Sequence, residues 1–394
     1  MKKTKLPGRF IKIDNWKLYF PVIIWYVLAA TGAILKIHLG ESKYNNFILF
    51  RQVFWHTIQQ TNLYSEYPLE YFDTNHYGPF FSVIIAPFVL MPAPIGVFFW
   101  CMANAAILLY AIRQLPVSFK SQNVILLIGA IEMMTSIENV QFNCIMTSWI
   151  ILSYVLLQNE KDFWAAFFII AGTLVKLYGI AGICFFLFSK HKREFILGFI
   201  FWLVALFLLP MVFSSFSFIV QSYQDWYYSL VQKNAKNVIN DDGKINLSVM
   251  GLIHRIFKIQ LSNSIILIPA ALLYLLPFVR FNQYKNISFR LHYLALLLIG
   301  VVIFSTSAES ATYIIAMTGV GIWFIVQKKN VINIVLLVFA IVITSLSPTD
   351  FFPASIRENY VFTYGLKALP CFFIWLSLLY HLITKNFIKV KVVQ

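Results

Sequence analysis

The stretch Ala165-Ala-Phe-Phe-Ile-Ile-Ala-Gly-Thr-Leu-Val-Lys176-Leu-Tyr-Gly-Ile-Ala-Gly-Ile-Cys-Phe-Phe-Leu-Phe188 is apolar almost throughout and carries one charge, at its centre. Each half falls short of the ~20 residues a helix needs to cross hydrocarbon. The pair therefore reads as a hairpin with its bend at Lys176. Irregular backbone at membrane depth persists only where it is buried in protein or lines a wet cavity. The bend is thus expected to gather Asp73, Gln141, Asn143 and Lys176 around one outward-facing cavity.

Outward from this stretch the chain keeps the same character. It is 60% hydrophobic and 12% charged, against roughly 45–50% and about 25% in soluble domains. Val22–Leu35, Phe195–Val212, Ile265–Val279, Leu291–Phe304, Tyr313–Val326, Val331–Ile343 and Ala368–Ile383 are continuous apolar runs without the two-residue alternation of barrel strands. In lipid such runs satisfy their backbone as helices. The expected fold is all-α, a polytopic transmembrane bundle of about 10–12 membrane helices in a single integral membrane domain over 1–394. Phe80–Met91 and Val124–Thr135 read as further short segments.

The net charge of +15 would point to nucleic acid in a soluble chain. Here the basic residues cluster in short loops and tails, the pattern of cytoplasmic segments, so no nucleic-acid partner is expected. The N-terminus (1–19) and the tail (384–394) are placed in the cytoplasm. Loops 39–78, 214–262 and 346–366 fall on the outer side of a bacterial inner membrane. The basic start is not followed by a short apolar core with a small-residue cleavage site, so the first span is retained. In the first outer loop, Phe47, Phe50, Val53, Phe54 and Ile58 recur at helical spacing and predict an amphipathic helix on the membrane surface. The four cysteines lie in apolar surroundings without a CxxC pair, which implies neither a disulfide nor a metal site.

The candidate site residues are the polar groups placed at the ends of apolar segments. Asp73, six residues before the chain enters the membrane at Pro79, can act as a general base, and Glu41, after the first span, is the other candidate. Lys176 is expensive in hydrocarbon unless paired or wet, and a phosphate is a fitting partner. Arg51 and His76 are placed beside that phosphate. Asn139, Gln141, Asn143, Glu309 and Tyr77 are candidate contacts to sugar hydroxyls, although Asn139 can equally cap the helix that follows it. Glu66 and Glu70 read as solvated. The motif Gln224-Asp-Trp-Tyr227 reads as an interfacial anchor. No GxGxxG, P-loop, HExxH, GxSxG or DxD pattern is present. No organic cofactor is implied, and the reading leaves room for a divalent cation.

The order Asn46-Phe47, Asn62-Leu-Tyr64, Tyr77-Gly-Pro79-Phe, Gln141-Phe-Asn143 and Leu174-Val-Lys176-Leu-Tyr178 resembles glycosyltransferase family 87, membrane enzymes of the GT-C class, over roughly residues 20–260. The resemblance implies a polyprenyl-phosphate sugar as donor, transfer on the outer face with inversion, and an aspartate base in the first outer loop. It also implies a glycan or glycolipid acceptor, a mannose-like hexose as the transferred group, and a role in cell-envelope polysaccharide synthesis. The chain departs from the family pattern in four places. Asn46 stands at the position of the family's acid, Val140 where a glycine is expected, Gly179 where a proline follows the lysine, and Gly78 at the first proline of a pair. Asp73 or Glu41 is then expected to serve as the base. A transporter or flippase for a lipid-linked or anionic solute is the alternative. Such proteins often show inverted repeats, and no such symmetry is visible here.

Overall fold

Apolar runs that must close their own hydrogen bonds fold as helices. In the computed structural model, which describes residues 16–239, 244–259 and 261–388, every regular element is helical. The basic N-terminus up to residue 15 and the tail from 389 to 394 lie outside the described residues. The chain begins with α1 (Trp16–His38), a single 3-10 turn (Glu41–Lys43) and α2 (Asn45–Gln59). A long loop then leads to α3 (Phe81–Val89), α4 (Ala93–Gln114), α5 (Phe119–Glu138), α6 (Asn143–Gln158) and α7 (Asp162–Val175). After a 3-10 helix (Leu177–Phe188) follow α8 (Lys192–Leu208), α9 (Phe216–Ile239), α10 (Val249–Phe257) and α11 (Ser264–Leu275). The last part holds α12 (Ile287–Ile303), α13 (Tyr313–Val326), α14 (Val331–Phe339), the single turn α15 (Ala354–Ile356) and α16 (Ala368–Thr384).

Among the described residues three segments, Tyr19–His38, Ala93–Gln114 and Lys192–Val212, are long and apolar enough to cross a membrane, and eight shorter apolar helical segments accompany them. The chain is a polytopic helical membrane protein. Helices α12 and α13 form its centre. Beyond Ser288, Arg290 and His292 at the start of α12 they are apolar on nearly all sides and almost wholly buried, the pattern of helices enclosed by others. Helices α8, α11 and α14 instead leave Ile200, Ile268 and Val335 exposed, as lipid-facing elements do.

Of two segments expected to be short, one is longer and one keeps its break. The apolar run at 124–135 belongs to a twenty-residue helix. Ser118 caps α5 by accepting from the Ser121 amide, which draws the polar turn Lys120–Asn123 into the helix. The second is the hairpin at Lys176, where the expected break is present. Lys176 adopts an extended conformation (φ −151°, ψ 125°) between α7 and the 3-10 helix. In a 3-10 helix residues three apart eclipse one another. Gly179, Gly182, Phe185 and Phe188 accordingly make one buried stripe, while Leu177, Ile180 and Ile183 stand exposed on another. The glycines set the fit, since a Cβ on Gly179 would lie 2.3 Å from the backbone of Gly172 and Thr173.

The amphipathic helix is present as α2. Its apolar side packs on protein: Phe47, Phe50, Val53 and Phe54 are buried, with Phe50 edge-on to Phe81 at 4.8 Å and to Trp100 at 5.9 Å. Helix α9, inside the expected loop 214–262, has a mixed polar composition. It runs across the end of the bundle and ties two loops together. Asn62 bonds Asp225 (3.0 Å) and Trp226 bonds the His76 carbonyl (2.9 Å) on one side; Thr306 bonds Asn234 (2.6 Å) and Asn237 bonds Ser307 (3.2 Å) on the other. Trp226 is therefore packed into the protein rather than anchored in an interface. At the opposite end, basic side chains close the chain turns. Arg280 donates to the Leu382 and Lys385 carbonyls (both 2.8 Å), and Arg290 donates to Gln158 (2.8 Å).

Candidate active site

The loop before α3 is held against the hairpin by close backbone contact. The Gly78 amide donates to the Val175 carbonyl (3.0 Å), and a Cβ at Gly78 would sit 2.0 Å from the Leu174 carbonyl oxygen. This contact brings Tyr77 beside Lys176. Tyr77 donates to Gln141 (2.9 Å), and its ring stacks on Phe81 at 4.6 Å. The Lys176 ammonium donates to Asn143 Oδ1 (3.0 Å) and lies 5.1 Å from the Tyr178 ring and 5.9 Å from the Tyr77 ring. A hydrogen bond and two aromatic faces thus compensate a cation at the helix break.

Two connected chambers open around this lysine. The inner one, about 270 Å³, is walled by Asn46, Tyr77, Asn139, Gln141, Lys176 and Tyr178. The outer one, about 470 Å³, is walled by Glu66, Ser229, Gln232, Lys236 and Asn237. Asp73, Thr74, His76, Lys233 and Glu309 belong to both. The expected gathering of Asp73, Gln141 and Lys176 is observed, together with His76, Tyr77, Asn139 and Glu309. Asn143 is displaced from this set. It is buried behind Lys176 and also donates to the Ala311 carbonyl (3.0 Å), so it positions the lysine and does not line the cavity. Glu41, exposed on its 3-10 turn, and Arg51, half-buried on α2, line neither chamber. Proximity in sequence to the first span does not carry either of them to the cavity.

Asn139 ends α5 rather than starting α6, and its carbonyl accepts from Asn46 (2.7 Å). Val140 follows with φ +52°, in the left-handed region. A β-branched residue is strained there, and this is the position where the resemblance leads one to expect glycine. Asp73 also has positive φ (+80°) and accepts from the Thr74 amide (2.8 Å) while its side chain stays exposed in the cavity. Glu309 caps the 3-10 turn Ser310–Thr312 and approaches Lys233 at 3.8 Å.

His76, in the loop between α2 and α3, is fully engaged. Ser229 donates to the Asn75 carbonyl (3.3 Å), so its oxygen accepts from His76 Nδ1–H (3.1 Å), and Nε2 accepts from the Thr74 hydroxyl (3.2 Å). Burial, then the ammoniums of Lys233, Lys176 and Lys236, push the imidazole down to about 3 from its ordinary 6.5. The ring is neutral near pH 7 and braces the loop to α9 instead of supplying charge to an anion. Between these two pH values an unfolded chain binds a proton that the folded chain refuses. The contribution of His76 to stability is therefore full above pH 6.5 and is lost as pH falls through that window. Acidification from pH 7 to 4 is expected to lower the Tm less in His76→Gln than in wild type. Equal falls in thermal unfolding would refute this assignment.

The sequence reading names neither Lys233 nor Lys236, which stand on α9 and bring two more ammoniums to the chambers. Glu66, expected to be solvated, is exposed and lines the outer chamber. Beneath Glu309 lies an ion pair within the bundle. Lys367 Nζ contacts Glu132 Oε1 at 2.8 Å and Oε2 at 3.0 Å, donates to Ser310 (2.7 Å), and faces the Tyr313 ring at 5.0 Å. Glu132 and Lys367 are 0% and 2% exposed. Among the described residues no cluster of three or more His, Cys, Asp or Glu is arranged to hold a metal.

Acids, ammoniums, amides and aromatic rings thus line one pair of adjoining chambers. No curated protein matches the chain. The model of glycosyltransferase family 87 matches residues 75–306, more than half of the chain. The match takes in His76, Gln141, Lys176 and Lys233, and ends three residues before Glu309. The chain belongs to glycosyltransferase family 87 and is a membrane glycosyltransferase.

Proposed function

We propose that the protein transfers a hexose, mannose-like in shape, from a polyprenyl-phosphate sugar to a cell-envelope glycan or glycolipid, with inversion at the sugar carbon. The observation that carries this reading is Lys176, an ammonium seated at the meeting of two apolar half-helices and opening into a cavity with acids and amides. A lipid-borne phosphate presented from the bilayer meets Lys176 and Lys233, which neutralise the charge of the departing phosphate. Gln141 and Asn139 hold sugar hydroxyls. Asp73 accepts the proton of the acceptor hydroxyl as its oxygen attacks. The basic side chains of the opposite end support a cytoplasmic position for that end. The cavity then opens on the outer face of a bacterial inner membrane.

The test is transfer of labelled mannose from polyprenyl-phosphate mannose by purified protein in liposomes. Lys176→Met is expected to lower kcat by about 10²–10³-fold, the scale seen when one transition-state charge partner is removed. Wild-type rates in Lys176→Met would remove the lysine from the mechanism. Movement of the labelled lipid between leaflets without sugar transfer would replace the donor reading with that of a flippase.

A further inference from the structure

We infer that the outer chamber is the acceptor site, and that one face of α9 recognises the acceptor as an oligosaccharide longer than a single sugar. The inference rests on the proposed donor reading, which assigns the inner chamber to the phosphate-linked sugar. The two chambers meet at a common wall of Asp73, Thr74, His76, Lys233 and Glu309. A hydroxyl in the outer chamber and a sugar carbon in the inner chamber meet at that wall, beside the acid that takes the proton. At about 470 Å³ against about 270 Å³, the outer chamber is the larger of the two.

The wall contributed by α9 consists of Ser229, Gln232, Lys233, Lys236 and Asn237. Steps of three and four residues place them on one side of the helix. These side chains supply hydroxyl, amide and ammonium groups, the complement of a polyhydroxylated ligand. Some are already committed: Ser229 to the loop at Asn75 and His76, Asn237 to Ser307. Gln232 and Lys236 are exposed and make no hydrogen bond or ion pair among the described residues. They stand on a stretch of α9 held by Trp226 before it and by Asn234 and Asn237 within and after it. Polar groups free to bind on a fixed support are the arrangement a specificity surface needs.

The first arm of the test places a cysteine in the chamber by Gln232→Cys in the full chain, reconstituted in liposomes. Native Cys101, Cys144 and Cys371 are buried and Cys184 is half-buried. A membrane-impermeant maleimide therefore reports position 232. Neutral hexose oligomers of one to four sugars, and the same ladder ending in a uronic acid, are the probes. Protection is expected to rise by about tenfold or more from one sugar to four, and polyprenyl phosphate alone is expected to give none. Protection that does not grow with length, or that polyprenyl phosphate reproduces, overturns the inference.

The second arm uses Gln232→Ala/Lys236→Ala in the transfer assay. The acceptor KM is expected to rise by about tenfold, with release of sugar from the donor to water unchanged. An unchanged acceptor KM, or an equal loss of donor hydrolysis, overturns the inference. If wild type transfers nothing from the donor while length-dependent protection persists, the donor reading fails and the acceptor chamber stands.

Discussion

Asp73→Asn is expected to lower kcat for sugar transfer by ~10²–10⁴-fold while leaving donor binding intact, the range for loss of a general base. The substitution is informative because the backbone at this position has φ +80°. Asparagine tolerates positive φ about as well as aspartate, whereas alanine would add strain to the loss of the carboxylate. The Thr74 amide, now donating to Asp73 Oδ1 at 2.8 Å, keeps an acceptor in the amide oxygen of asparagine. The shape and the loop bond are kept, while the negative charge and with it the ability to take a proton are lost. Glu309→Gln provides the comparison, since Glu309 shares the same wall but stands 3.8 Å from Lys233 and caps a turn. Its loss is expected to be the smaller. A larger fall in Glu309→Gln, with Asp73→Asn active, would make Glu309 the base.

Glu132→Gln and Lys367→Met, made singly, are each expected to destabilise the fold by about 3–5 kcal/mol, the penalty for stranding one partner of a buried ion pair. Both side chains are out of contact with solvent, and the ammonium holds Ser310 as well as the carboxylate. Replacing both, as Glu132→Leu/Lys367→Met, removes the stranded charge and is expected to recover most of the lost Tm. Activity is expected to recover less than stability. Ser310 follows Glu309 in the chain, and without the lysine the turn that Glu309 caps loses its tether. Thermal unfolding of the four proteins in one detergent gives the coupling directly. Single variants as stable as wild type would refute the argument.

The fold was legible because composition dictates it: apolar runs in lipid have helices as their solution, and Lys176 marks its own break by interrupting one. The gathering of Asp73, Gln141 and Lys176 followed from that break. Asn143 was misjudged because an amide near a cavity looks the same whether it faces a ligand or supports a neighbour; only its bonds to Lys176 and Ala311 distinguish the two. Glu41 was drawn in by its place in the chain, and the structure leaves it in solvent. Lys233 and Lys236 went unnoticed in an extramembranous segment where lysine is ordinary. What gives them meaning is the path of α9 across the cavity, fixed by contacts to loops more than seventy residues away on either side. The Glu132–Lys367 pair spans 235 residues, and no local pattern announces such a partner.

The 3-10 form of Leu177–Phe188 has a consequence for reach. At about 2.0 Å per residue, its twelve residues extend ~24 Å, where an α-helix of the same length would extend ~18 Å. Stretching the helix brings a segment that is too short by residue count close to the ~30 Å thickness of hydrocarbon. The stretched segment starts directly after Lys176, so its winding also sets how deep in the bilayer the ammonium sits. Rewinding all of it as α-helix would shorten it by ~6 Å and shift the cation along the bilayer normal by up to that amount.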